Sequence, residues 1–397
     1  MNSNKIKIGI LQFLLLFSLG ITAQNTLSNK ATLSVITGGP GNELYTAFGH
    51  SAFRVFDPNT NIDKVYNYGT FDFNAPNFYL NFAKGKLTYM LSTGNYGYFL
   101  RVYNYEKRWV KEQVLNLNSE QIQKVYSFLE NNATPENRSY QYDFFYENCA
   151  TKIEEVLKKV LKDEVSFYNN HITPTKTHRD LISDYTLNNF KWGKFGIDLA
   201  LGSVIDKTAS KQDYKFLPDY IYKGFENATV LKNNKIEPLV KSSRTVLSPK
   251  NNNTKSNSFT PFNIIALICI IIVFISFKYN NNRLRWLDFS LFLITGIIGI
   301  VVFLLWFATT HTATYNNFNF LWAFAPNAVI GFYLLKNDIP KWVLKYVKLL
   351  LLLLFILLVI WFLKIQIFNM AIAPLIIALT VRYILLIKMN RLSTSKK

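Results

Sequence analysis

The sequence predicts two bodies in series: an exported α+β domain, then an all-α domain of five membrane-crossing helices. Three observations carry this expectation. The N-terminus is basic, then apolar, then small; a long stretch of mixed globular pattern follows; and the C-terminal part holds five long apolar runs. Half of the 397 residues are hydrophobic and 16% are aromatic, with the apolar excess at the C-terminal end. That length suits two domains.

Residues 1–23 read as a secretory signal peptide. Lys5 and Lys7 precede an apolar core from Ile8 to Ile21, and Ala23 stands at the expected cut. Residues 24–240 form the exported domain. Residues 31–37 have strand composition and end at Gly38-Gly39-Pro40-Gly41. Residues 50–57 and 64–68 read as a second and third strand, separated by the turn cluster Pro58-Asn59-Thr60-Asn61. A helix follows Asn118, with Ser119 placed to cap it, and runs to about Asn131. The clearest soluble helix spans 149–161: Ile153, Val156, Leu157 and Val160 recur at spacings of three and four.

Residues 241–260 are rich in Asn, Ser and Lys and read as a tether. Within 261–390, apolar segments lie near 261–279, 287–308, 318–336, 342–363 and 367–388, each close to the length that spans a bilayer. Lys278, Arg283 and Arg285 flank the first connecting loop; Lys336, Lys341 and Lys345 flank the third; Lys388, Arg391, Lys396 and Lys397 end the chain. The second loop carries no Lys or Arg, and the fourth only Lys364. The bias of positive residues places the C-terminus in the cytoplasm of a bacterial cell and the soluble domain in the periplasm, on the inner membrane. It also explains much of the formal charge of +19. With no nucleic-acid-binding motif beside it, that charge points to a membrane and not to nucleic acid.

The exported part has a single cysteine, Cys149; the other, Cys269, lies in an apolar run. Exported proteins usually use cysteines in disulfide pairs, so a lone thiol opening a helix points to reactivity. The helix dipole there is expected to lower its pKa. A thiol nucleophile needs a base. Of His50, His171, His178 and His311, His50 is the best placed, on a strand among Gly49, Ser51 and Ala52. An inert thiol and a core histidine are the plain alternatives; the two together in an exported domain without disulfides favour catalysis. His171 and His178 match no strong zinc spacing, and no metal or other cofactor is expected.

The His-bearing strand precedes the Cys-bearing helix. This order resembles the circularly permuted papain-like folds, which include NlpC-type peptidases and lecithin:retinol acyltransferase-like enzymes. The resemblance implies a third polar residue on the next strand. Counting back across the hairpin from His50 points to Tyr68, or else Thr70; no histidine stands there, a departure from the lecithin:retinol pattern.

A closer likeness covers nearly the whole chain. Gly49-His50-Ser51-Ala52-Phe53-Arg54-Val55, Tyr66 through Phe73, Asn148-Cys149-Ala150-Thr151, Asp198 through Ser203 and Phe216 through Tyr220 resemble the Bacteroides-type lipoprotein N-acyltransferase family. The resemblance implies His50 and Cys149 as catalytic residues and N-acylation of lipidated lipoprotein N-termini. Phospholipid is the abundant acyl donor outside the cytoplasm. Arg54, on the strand face of His50, is a candidate for a lipid phosphate or merely for a carboxylate. His311 and Asn319, polar residues in or beside the second outer loop, are candidate substrate contacts. The alternatives are an anchored NlpC-type cell-wall cysteine peptidase and a non-enzymatic membrane receptor.

Overall fold

The computed structural model describes residues 26–86, 88–249, 259–280 and 282–394. The expected signal peptide lies outside these residues.

Among the described residues ten strands form in chain order: β1 (Thr32–Gly38), β2 (His50–Asp57), β3 (Ile62–Thr70), β4 (Thr88–Asn95), β5 (Val110–Leu115), β6 (Ser139–Gln141), β7 (Val165–Ser166), β8 (Thr229–Lys232), β9 (Lys235–Pro238) and β10 (Val240–Leu247). Seven make one antiparallel sheet in the order β10-β5-β1-β2-β3-β4-β6; β7, β8 and β9 make a small second sheet. The soluble helices are α1 (Phe78–Lys84), α2 (Tyr96–Tyr105), α3 (Ser119–Asn132), α4 (Thr151–Leu161), α5 (His178–Thr186), α6 (Lys191–Ala200) and α7 (Pro218–Glu226).

Strand alternation sorts the sheet into two faces. Val35 pairs with Phe53, and Phe53 with Tyr66. With Leu33, Val55 and Tyr68 these residues form the larger core, covered by α3, α4 and α7 through Val125, Ile153, Leu157 and Phe225. Each such side chain, fully buried, stabilises by roughly 1.5–3 kcal/mol. Ile36, Ala52 and Val65 face the other way and are covered by Tyr96 and Tyr103 of α2.

Two caps differ from the sequence expectation. Asn118, not Ser119, caps α3: its Oδ1 accepts the Gln121 amide at 2.8 Å, and the Gln121 side chain accepts the Asn118 amide at 3.0 Å. Helix α4 begins at Thr151, so Cys149 sits in the turn just before it. There Asn148 supplies the capping oxygen, accepting the Ala150 and Thr151 amides, each at 2.9 Å.

The expected tether is also corrected. Residues 241–247 belong to β10, paired with β5 at the sheet edge, with Arg244 opposite Glu112. An edge strand with a solvated face is polar in composition, which is why it reads as a linker.

Among the described residues, four helices are long and apolar enough to cross a membrane: α8 (Pro261–Lys278), α9 (Arg285–Phe307), α10 (Lys341–Phe362) and α11 (Ala373–Thr394), the last with its apolar window at Met370–Met389. The expected span at 318–336 is instead a string of short turns: Phe318–Leu321, Asn327–Ile330 and Gly331–Leu335. Pro326 cannot donate to a helical ladder, and Asn327 is drawn sideways to Thr295 Oγ1 at 3.0 Å. The segment lies against α9 so closely that a Cβ on Gly299 would meet the Ala323 carbonyl oxygen at 2.0 Å. Irregular backbone at such depth is tolerable because protein encloses it. Arg382 of α11 bonds Asp288 of α9 at 2.7 Å and Ser276 of α8 at 3.2 Å, tying three helices together.

The two parts are joined by backbone and side-chain bonds. The amides of Gly202 and Ser203 donate to the carbonyls of Ala313 and Asn316, each at 3.0 Å, and the Thr310 amide donates to the Lys84 carbonyl at 3.0 Å. Asn317 Nδ2 donates to the Leu199 carbonyl at 2.8 Å.

Candidate active site

Cys149 is half-buried at the foot of α4, packed against the larger core. Gly69 of β3, with a φ of +83°, lies directly beneath: a Cβ there would stand 3.4 Å from Cys149 Cβ. The amides of Ser51, Cys149 and Ala150 face the sulfur, the last shared with Asn148 Oδ1. Tyr103, Tyr140 and Tyr142 stand near enough that a thiolate would push each phenol's pKa up, adding to the larger effect of burial.

His50 opens β2, one residue before Ser51, and pairs across the sheet with Gly38. Its Nε2 lies 3.3 Å from Asn67 Oδ1. Burial, then the Arg108 guanidinium, push the imidazole down to about 4; the Asn67 bond opposes this only in part. The same Arg108 bears on Cys149, where its effect is the reverse in consequence: it favours the thiolate. Burial outweighs it and the three amides, so the thiol is pushed up from its ordinary value. The expectation of a dipole-activated thiolate is therefore corrected. The resting pair is a neutral imidazole and a neutral thiol.

Arg108 is held for this place. It is buried, its Nε donates to the Gly39 carbonyl at 2.8 Å, Nη1 pairs with Glu106 at 2.8 Å, and the guanidinium lies 4.3 Å from the Tyr103 ring centre. Two hydroxyls lie on the strand pair that carries the Ser51 amide. Ser51 Oγ and Thr37 Oγ1, directly opposite one another in the β1–β2 register, are both buried without a hydrogen-bond partner.

Cys149 and His50 share the influence of Arg108, and the Ser51 amide next to His50 faces the sulfur, but Tyr68 turns elsewhere. With Phe53 paired to Tyr66, Tyr68 falls on the face away from His50, and its hydroxyl donates to Asn132 at 2.5 Å. Asn67, one residue earlier, is the group on the imidazole. Thr70 bonds Ser92 at 2.7 Å. A one-residue slip in register moves a side chain to the opposite face; continuing the Phe53–Tyr66 pairing puts Gly69 opposite His50 and Asn67 two residues along on the same face. Arg108 carries no sequence signal that marks it; β1 and the loop before β5 meet only in the fold.

The other candidates are committed to structure. Arg54 pairs with Asp63 at 2.7 Å and Glu112 at 2.9 Å and stacks 3.7 Å over Tyr96, leaving it 9% exposed. The carboxylate alternative is the observed one. His311 Nε2 lies 2.9 Å from the Phe82 carbonyl, at the joint between α1 and the membrane part. Asn319 is buried: its Nδ2 donates to the Asp198 carbonyl at 3.0 Å and its Oδ1 accepts from Trp322 at 2.9 Å. His178 packs against Phe145 and Phe216. Among the described residues, no three His, Cys, Asp or Glu side chains are grouped to hold a metal ion.

Two family models match the chain. Residues 21–184 match the Lnb N-terminal periplasmic domain, and residues 252–393 match the Lnb transmembrane domain. No curated protein and no solved structure gives a significant match. The two matches occur in the order of the two bodies described above, and together they take in His50, Cys149 and all four long apolar helices. The chain therefore belongs to the Lnb-type family, a periplasmic domain joined to a transmembrane domain.

Proposed function

We propose that the protein is a membrane-bound lipoprotein N-acyltransferase with a permuted papain-like thiol domain. It moves an acyl chain from phospholipid, through a thioester on Cys149, to the N-terminal amine of lipidated lipoproteins. The observation that carries this reading is that one buried cation, Arg108, bears on both His50 and Cys149, whose sulfur also faces the amide of Ser51 next to His50, in a domain bonded to its membrane partner. The C-terminus then lies in the cytoplasm.

With Asn67 Oδ1 as acceptor, His50 Nε2 carries the ring proton and Nδ1 keeps a lone pair. Nδ1 takes the Cys149 proton as sulfur attacks the donor's ester carbonyl. The oxyanion meets amides at the Cys149 turn, with the unpaired Ser51 and Thr37 hydroxyls as further donors. Arg108 stabilises the negative charge that develops on sulfur. The C–O bond then breaks, His50 returns its proton to the lysophospholipid oxygen, and the thioester remains. In the second half the lipoprotein amine attacks the thioester. His50 takes its proton and passes it to the departing sulfur, leaving an amide and the starting thiol.

The test is mass spectrometry of lipoprotein N-termini in cells carrying the wild-type chain or Cys149→Ser. An extra acyl group present only with the wild type supports the reading. Unchanged acylation with Cys149→Ser, or digestion of peptidoglycan by the purified protein instead, overturns it.

A further inference from the structure

Helix α1 has no buried residue. Tyr79 is 73% exposed, Phe82 50% and Leu80 52%, beside the equally exposed Phe73 and Tyr45. A contiguous apolar patch of this size facing water marks an interaction surface. Its position identifies the occupant. The last turn of α1 is bonded to the loop that leaves membrane helix α9: the Phe82 carbonyl meets His311 Nε2, and the Lys84 carbonyl accepts from Thr310. On another side of the joint, Trp192 of α6 donates to the Phe259 carbonyl at 2.9 Å, where the chain enters α8. Exposed aromatic side chains at the ends of membrane helices lie at the headgroup level.

Behind the patch the rings continue inward. Phe78 stacks on Phe71 at 5.9 Å, Phe71 meets Tyr89 at 5.0 Å, and Tyr89 stacks on Tyr142 at 4.1 Å. Tyr142 is a neighbour of Cys149. The exposed patch and the thiol are thus the two ends of one run of aromatic rings.

We propose that α1 is seated in the outer leaflet of the bilayer and that the rings behind it form the route by which a phospholipid acyl group reaches Cys149. The seating stands on exposure and on the joint with α9. The route rests on the acyl-transfer reading for its purpose, but its existence can be tested without it.

The seating is tested in full-length chain carrying Cys149→Ala and Cys269→Ala, with Tyr79→Cys or Phe82→Cys labelled by the fluorophore NBD. The protein is placed in phospholipid nanodiscs with and without doxyl-labelled phosphatidylcholine. A label on Phe262→Cys, in the first turn of α8, serves as the membrane reference. Quenching at 79 and 82 comparable to that at 262 is expected. Emission typical of the dye in water, with no quenching, overturns the seating.

The route is tested on Tyr79→Asp/Phe82→Asp in a Cys269→Ala background, by the rate at which Cys149 reacts with bilayer-dissolved hexadecylmaleimide and with water-soluble iodoacetamide. The lipid-borne reaction is expected to fall by about tenfold, since two apolar anchors are lost, with iodoacetamide unaffected. Equal hexadecylmaleimide rates in both proteins overturn the route. Neither measurement uses acyl transfer, so failure of the functional reading, shown by a transferring Cys149→Ser, is separately visible.

Discussion

The neutral state of the Cys149–His50 pair makes a sharp prediction about pH. An exposed histidine titrates near 6.5, whereas burial and Arg108 push His50 down to about 4. That difference disfavours the imidazolium by about 3 kcal/mol, leaving on the order of a thousand neutral rings for each charged one at pH 7. Activity requires the neutral base, so the acid limb of kcat/KM for the free enzyme should fall near pH 4. Cys149, pushed up by burial, should ionise above its ordinary value. The assay is the rate of iodoacetamide alkylation of Cys149 against pH, in a Cys269→Ala background, with the ring of His50 followed by NMR. Arg108→Gln should shift both groups in the same direction. Removal of the cation raises the His50 value, which burial still holds below 6.5, and raises the thiol value further. The same histidine links stability to pH. The unfolded chain binds the proton near 6.5 and the folded chain only near 4, so unfolding takes up a proton between these values. Stability is therefore full above about 6.5 and declines as pH falls toward 4. A wild-type His50 titrating near 6.5, or a Cys149 alkylated rapidly at pH 6, would refute the neutral-pair argument.

Three further outcomes are expected. Cys149→Ser and His50→Ala should each abolish acyl transfer while far-UV circular dichroism and membrane insertion stay unchanged; Cys269→Ala, buried among α8's apolar neighbours, should be nearly silent in the same assay. Asp198→Ala should destabilise the joint between the domains by about 3–5 kcal/mol, because it strands buried cations. Asp198 accepts from Arg179 at 2.8 Å, Lys194 at 2.5 Å and Asn369 at 2.8 Å, and unchanged thermal unfolding in detergent would count against that role. A soluble domain ended at Lys241 lacks most of β10 and exposes Glu112 without Arg244. It should unfold at lower urea than one ended after Leu247, and equal midpoints would mean that β10 adds nothing.

Much of this protein was legible in residue order, because the signals are local. Apolar runs long enough for a bilayer, period-two strands around Pro58–Asn61 and the three-and-four spacing of Ile153, Val156 and Leu157 each reflect one element's own burial. The candidates Cys149 and His50 were also picked out from local signals, a lone thiol in the exported part and a histidine among small residues. What failed depends on contacts between distant segments. The run at 318–336 has the composition of a span, yet Pro326, Asn327 and the close face of α9 break it into turns. Residues 241–247 have the composition of a linker, and only the unpaired edge of β5 makes them a strand. Asn67 rather than Tyr68 meets His50 because hairpin register decides which face each side chain takes. Arg108 reaches both His50 and Cys149 because the sheet carries the end of β1 and the start of β5 to the foot of α4. Periodicity reports which residues seek burial. Ionisation state depends on how much water and which charges surround a group, and that is settled only when remote segments pack.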